Sequence, residues 1–181
     1  MAHGASWLSS LSIAGVTLSL ALSLPAGAIQ PEAYGPGGDT AQGKAITEGK
    51  GVQKEQACAA CHGAEGQGDA DAGVPRLAAQ SQEYLLRALE EYASGIRQNE
   101  IMTPIAKALE DGQRKDVTAY YATQRDSPWE KPEAAERDVI SYGAALASVG
   151  SAQLGVQGCG NCHGPEGRGL PPLAPYLAGQ S

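Results

Sequence analysis

Phenylalanine is absent from the 181 residues, and aromatic side chains make up only 5% of them. A small domain this poor in large apolar side chains cannot bury an adequate core from its own residues, so something else must fill its centre. Basic residues are also short, 13 against 20 acidic, which gives a net charge of −7 and an isoelectric point near 4.9. That balance excludes nucleic acid as a natural partner. Cysteine is limited to four residues and histidine to three. A structural zinc site needs four Cys/His ligands per ion, typically in two separated pairs, and neither the number nor the spacing provides them. Only two methionines occur, Met1 and Met102.

What is present is one short pattern written twice. Cys58-Ala59-Ala60-Cys61-His62 and Cys159-Gly160-Asn161-Cys162-His163 are both C-x-x-C-H, the signature of covalent haem attachment. The chemistry requires those residues at that spacing. Two thiols add across the two vinyl groups of one haem, and the adjacent histidine ligates its iron. All four cysteines lie in these motifs, and the third histidine, His3, stands in the N-terminal leader. A thioredoxin-type C-x-x-C would need neither the following His nor a second copy, and disulfides in an exported chain are the remaining alternative. The context is duplicated as well: CHGAEGQG (61–68) recurs as CHGPEGRG (162–169), and LAAQS (77–81) as LAGQS (177–181). Two covalently bound haem c groups are therefore expected, each completing the core of a small domain.

Residues 1–28 read as a secretory signal peptide, with an apolar run over 11–24 and Ala26-Gly27-Ala28 matching the small-x-small cleavage rule. No Lys or Arg precedes that run, so the alternative is an uncleaved anchor that would attach the chain peripherally to a membrane. Export suits the chemistry, because thiols are handled outside the cytoplasm in an oxidising compartment. A Pro/Gly-rich flexible leader over 29–40 is expected next. A first haem domain follows over 41–125, entered by a helix from Ala41 to Gly49 capped by Asp39 or Thr40. The clearest periodicity runs from Ser81 to Arg97, with Tyr84, Leu85, Ala88, Leu89, Tyr92, Ala93 and Ile96 on one face. Thr103 as N-cap with Pro104 at the first helical position starts a short helix. Asp111 is expected to cap a last one, Gly112 to Thr123, burying Val117, Tyr120 and Tyr121. Residues 126–137 read as a linker, and 138–181 as a second haem domain whose first helix spans Val139 to Ala147.

A haem ligated by one histidine has a free side, which electron-carrying cytochromes often close with methionine. Met102 follows His62 by 40 residues, after the amphipathic helix, and is the expected sixth ligand of the first site. No Met follows Cys162, so the haem at His163 is expected to be five-coordinate or water-ligated.

With C-x-x-C-H, the Met-x-Pro at Met102–Pro104 and the Tyr120-Tyr121 helix assembled, the chain resembles class I c-type cytochromes. Its duplication is most similar to the dihaem cytochrome c4 family, over about residues 41–181. The resemblance implies an all-α fold of two cytochrome c-like domains in tandem, periplasmic location, and electron delivery to an oxidase, a dehydrogenase or another cytochrome. It also implies that the Pro75 carbonyl accepts from His62 and that of Pro175 from His163, which fixes each ring. Because Ser181 aligns with Ser81, the second domain is expected to be incomplete at its C-terminus, by roughly 40 residues, with truncation of the sequence the favoured explanation. Two alternatives to a free carrier follow from the same residues. One is a cytochrome subunit of a dehydrogenase complex. The other is a dihaem peroxidase using an open second haem, although no His, Arg or Glu constellation for peroxide cleavage follows Cys162.

Overall fold

The computed structural model describes Met1 and residues 36–125 and 136–180. The expected signal peptide after Met1, most of the expected leader and the prolines of the expected linker lie outside those residues. From Pro36 onward the described chain belongs to one compact unit, 31–181.

Among the described residues, seven α-helices carry the fold: α1 (Thr40–Thr47), α2 (Ala59–His62), α3 (Gln82–Ser94), α4 (Met102–Ala108), α5 (Asp111–Thr123), α6 (Arg137–Ser148) and α7 (Gly160–His163). The all-α expectation needs one small correction, a two-residue antiparallel pair between β1 (Gly150–Ser151) and β2 (Val156–Gln157).

The Asp39 carboxylate starts α1 as expected, accepting from the N–H groups of Ala41 (2.8 Å) and Gln42 (3.1 Å). Thr40 is already helical, so the leader ends one residue sooner than its composition suggests. The Asp39 N–H donates to Asp116 Oδ1 at 2.7 Å, which pins the start of α1 to α5. The two helices then cross at Gly43. A Cβ there would stand 2.0 Å from the Asp116 carbonyl oxygen, so only glycine permits this approach. Ile46, Leu109 and Val117 form one core cluster, with Val52 and Leu89 packed against it. Leu85, Tyr120 and Tyr121 form another, joined by Cys58, Leu77 and Tyr84.

Ser81 caps α3 through Oγ, which accepts from the Tyr84 N–H at 3.2 Å. The helix stops at Gly95, whose left-handed φ of 85° ends the periodic run early. Ile96 therefore lies outside the helix and is 82% exposed, while Leu86, off the expected face, is buried. Helix α4 begins one residue before Thr103. Asn99 Oδ1 accepts from the N–H groups of Ile101 and Met102, both at 2.9 Å, and so does the capping expected of Thr103. Glu110, not Asp111, precedes α5; its N–H donates to Gln113 Oε1 at 2.9 Å. Val117, Tyr120 and Tyr121 are buried as expected. Helix α6 begins at Arg137, inside the stretch expected to be linker, and among the described residues buries none of its own.

Candidate haem site

Cys58, Cys61 and His62 stand on one helical turn. The His62 N–H donates to the Cys58 carbonyl at 2.9 Å, and the i, i+3, i+4 spacing puts both sulfurs and the ring on neighbouring faces. Helix α2 ends at Gly63, and the chain folds back tightly. The Gly68 N–H returns to the His62 carbonyl (2.9 Å), and the Gly66 carbonyl accepts from both Leu77 (2.8 Å) and Ala78 (2.9 Å). Gly66 sits at φ 74° with its α-carbon face against the Tyr121 ring, where a Cβ would lie 2.5 Å from Cδ1. This fold-back brings Pro75 under His62, whose Nδ1 donates to the Pro75 carbonyl at 2.9 Å. Nδ1 is thereby committed as a donor, and Nε2 carries the free lone pair. Burial pulls the His62 imidazole below its ordinary pKa, partly offset by that carbonyl, so the ring is neutral at pH 7 and able to ligate.

The second motif repeats the main bonds of the frame. The His163 N–H donates to Cys159 O (2.9 Å), Gly169 N–H to His163 O (2.7 Å), and Leu177 and Ala178 N–H to Gly167 O (2.8 and 3.0 Å). His163 Nδ1 donates to the Pro175 carbonyl at 2.8 Å. Bridges between Asp69 and Val74 and between Leu170 and Ala174 close the matching loops. Burial differs. His62 is buried and Cys58 half-buried, whereas His163 is half-buried and Cys159 exposed.

A family model described as cytochrome c matches residues 46–125. Cytochrome c-554(548) of Halomonas halodenitrificans is 40% identical over 77 residues, which cover 41% of this chain and 92% of that protein. The chain belongs to the cytochrome c family. Cytochrome c4 is its near relative in structure: reduced recombinant cytochrome c4 from Pseudomonas stutzeri superposes with a TM-score of 0.65 at 29% identity, over 80% of this chain and 74% of that one. The thiosulfate dehydrogenase electron acceptor of Stutzerimonas stutzeri is 40% identical over 144 residues, 76% of this chain and 63% of that protein. The chain spans only 57–63% of the length of the two thiosulfate dehydrogenase electron acceptors and the Thiocapsa roseopersicina cytochrome c4 that it matches.

As a c-type cytochrome the chain holds haem c covalently, and the residues around His62 fit that group. Two thiols and a neutral imidazole share one turn, beside an apolar cluster of Leu77, Leu85 and Tyr84. The Tyr121 hydroxyl is buried in that cluster near the Thr47 side chain, and among the described residues no hydrogen bond of regular geometry satisfies it, a deficit that a polar edge of the cofactor would relieve. Burial also drives the Tyr121 phenol well above its ordinary pKa, so it stays a neutral donor. Before attachment, burial pushes the Cys58 thiol up to about 11.

Met102 is half-buried at the first position of α4, oriented through its backbone by Asn99. Two contacts of the site escaped the sequence reading, one made by Asn99 and one by Tyr120, expected only as a buried residue of the last helix. Asn99, three residues before Met102, is a preferred capping residue and was in principle legible. Tyr120, whose hydroxyl donates to the Ala64 carbonyl at 3.0 Å, ties α5 to the loop after His62 across 56 residues and left no local signal.

Proposed function

We propose that this cytochrome is a periplasmic dihaem electron carrier, with one haem at Cys58, Cys61 and His62 in domain 41–125 and another at Cys159, Cys162 and His163 in domain 138–181. The observation that carries the reading is the duplicated frame: each C-x-x-C-H turn aims its histidine Nδ1 at a proline carbonyl, 2.9 Å at Pro75 and 2.8 Å at Pro175. Bound haem c supplies a one-electron iron couple. The chain's own residues fix each ring, and around His62 they also keep the imidazole neutral and exclude water. Met102 closes the far side of the first site. Among the described residues no helix is long and apolar enough to cross a membrane.

The donor is best read as a dehydrogenase, because relatives at 40% and 38% identity are named thiosulfate dehydrogenase electron acceptors. The net charge of −7 supports docking to a basic partner face through a small, transient contact.

Intact mass and a haemochrome assay on purified protein test the haem number. Two covalent haems are expected, and a mass equal to the polypeptide alone, or to one haem, would refute the reading. Met102→Ala should keep the haem attached but lower its potential and open the iron to carbon monoxide. An unchanged spectrum and potential would remove Met102 from the site. Rapid reduction by a thiosulfate dehydrogenase with thiosulfate is expected if the donor assignment holds, and no reduction would end it.

A further inference from the structure

We propose that Gln80 is a positioning residue through which the Cys58 segment sets the ligand strength of His163 in the Cys159 segment. This rests on the dihaem reading above. Gln80 is only 4% exposed, and its amide reaches across 96 residues of sequence to a single backbone site. Nε2 donates to the Tyr176 carbonyl and Oε1 accepts from the Tyr176 N–H, both at 2.9 Å. Oε1 also accepts from the Ser81 N–H at 2.9 Å, so the side chain is held in place from its own segment.

The Tyr176 N–H belongs to the same peptide plane as the Pro175 carbonyl, and that carbonyl accepts from His163 Nδ1 at 2.8 Å. A peptide unit is rigid and its two dipolar ends are coupled by resonance. Fixing the N–H end therefore fixes the direction of the carbonyl end. An acceptor on the N–H also pushes electron density toward the carbonyl oxygen, which strengthens its bond to the imidazole. The hydrogen-bonded series is His163 Nδ1–H to Pro175 O, then Tyr176 N–H to Gln80 Oε1. A stronger bond at Nδ1 makes Nε2 a better donor to iron, which favours the oxidised state and lowers the potential. The arrangement is one-sided. Gln180, at the position matching Gln80, is exposed. A packed interface alone would not need an amide that answers both polar groups of one residue next to the histidine's brace.

Gln80→Met keeps the length of the side chain and removes both bonds. Gln80→Glu keeps the acceptor for the Tyr176 N–H. In the holoprotein, with each haem followed by its own NMR resonances during spectroelectrochemistry, Gln80→Met should raise the potential of the His163 haem and leave the His62 haem nearly unmoved. Its Tyr176 amide should exchange roughly tenfold faster. Gln80→Glu should return the His163 potential to the wild-type value or below it. Gln180→Met should move neither. Two attached haems with unchanged potentials in Gln80→Met, or a common shift of both, would overturn the proposal and leave the dihaem reading intact. So would a Gln80→Glu variant that behaves like Gln80→Met. A wild-type chain with haem at His62 alone would overturn both.

Discussion

The Cys58 and Cys159 segments share a backbone frame but not a setting. In the first, α1 is crossed by α5 and buries Gly43, Ile46 and Thr47, and His62 is 6% exposed. In the second, α6 has the same position relative to its motif but presents Val139, Ile140 and Tyr142 to solvent, each more than half exposed. The difference teaches that the haem-attachment loop is a local structure. Its turn, its fold-back and its histidine–proline bond are alike in the two segments, although among the described residues the first is packed under α5 and the second is more exposed. What packing adds is dryness and a tuned histidine. It does not supply the shape of the loop.

The largest expected break in the comparison comes from a pair of glycines. Gly43→Ala puts a methyl group 2.0 Å from the Asp116 carbonyl, and backbone cannot step aside cheaply. It should destabilise the Cys58 segment by about 3 kcal/mol. Gly143, in the corresponding helix, has nothing within 4 Å of the same position. Gly143→Ala should be neutral or stabilise by up to about 1 kcal/mol through helix propensity. Thermal unfolding of the two variants decides the matter, and equal effects would mean that the two helices are packed alike.

Tyr120→Phe should have the next largest effect. It removes the bond to the Ala64 carbonyl and should cost about 1 kcal/mol. Hydrogen exchange should quicken in 63–68 while the matching loop over 164–169 stays as it was. Acceleration in both loops would show that the segments open together.

The smallest effect sharpens the comparison through pH. Before haem attachment, burial holds the His62 pKa in the folded chain below its unfolded value, so the unfolded chain binds the extra proton first. The stability contributed by the neutral ring is present above about pH 6.5 and is lost as the pH falls below it. Melting curves of the haem-free chain at pH 7.5 and 5.5 should show the Cys58 segment losing stability on acidification, a dependence that iron ligation removes in the haem-loaded protein. A gain at pH 5.5 would contradict the buried, neutral assignment.

Much of the candidate site was legible because it is contiguous. Residues 58–62 and 159–163 carry their own spacing, and the glycines after them mark a turn that needs positive φ. The proline partners became visible only through family resemblance. Helix ends were less legible. The α3 periodicity ran on to Ile96, yet the left-handed Gly95 ended the helix. The Asn99 side chain then displaced Thr103 as the cap of α4, since two N–H groups converge on one acceptor oxygen.

The sequence by itself determined the haem chemistry and the duplication. Both rest on short-range spacing, which a helical turn converts directly into geometry. Tertiary structure alone decided which histidine is buried, why Gly43 must be glycine, and that Gln80 holds the peptide beside Pro175. Those features join residues 73 and 96 positions apart, Gly43 with Asp116 and Gln80 with Tyr176. No local pattern encodes such pairs, because their partners become neighbours only after the helices have packed.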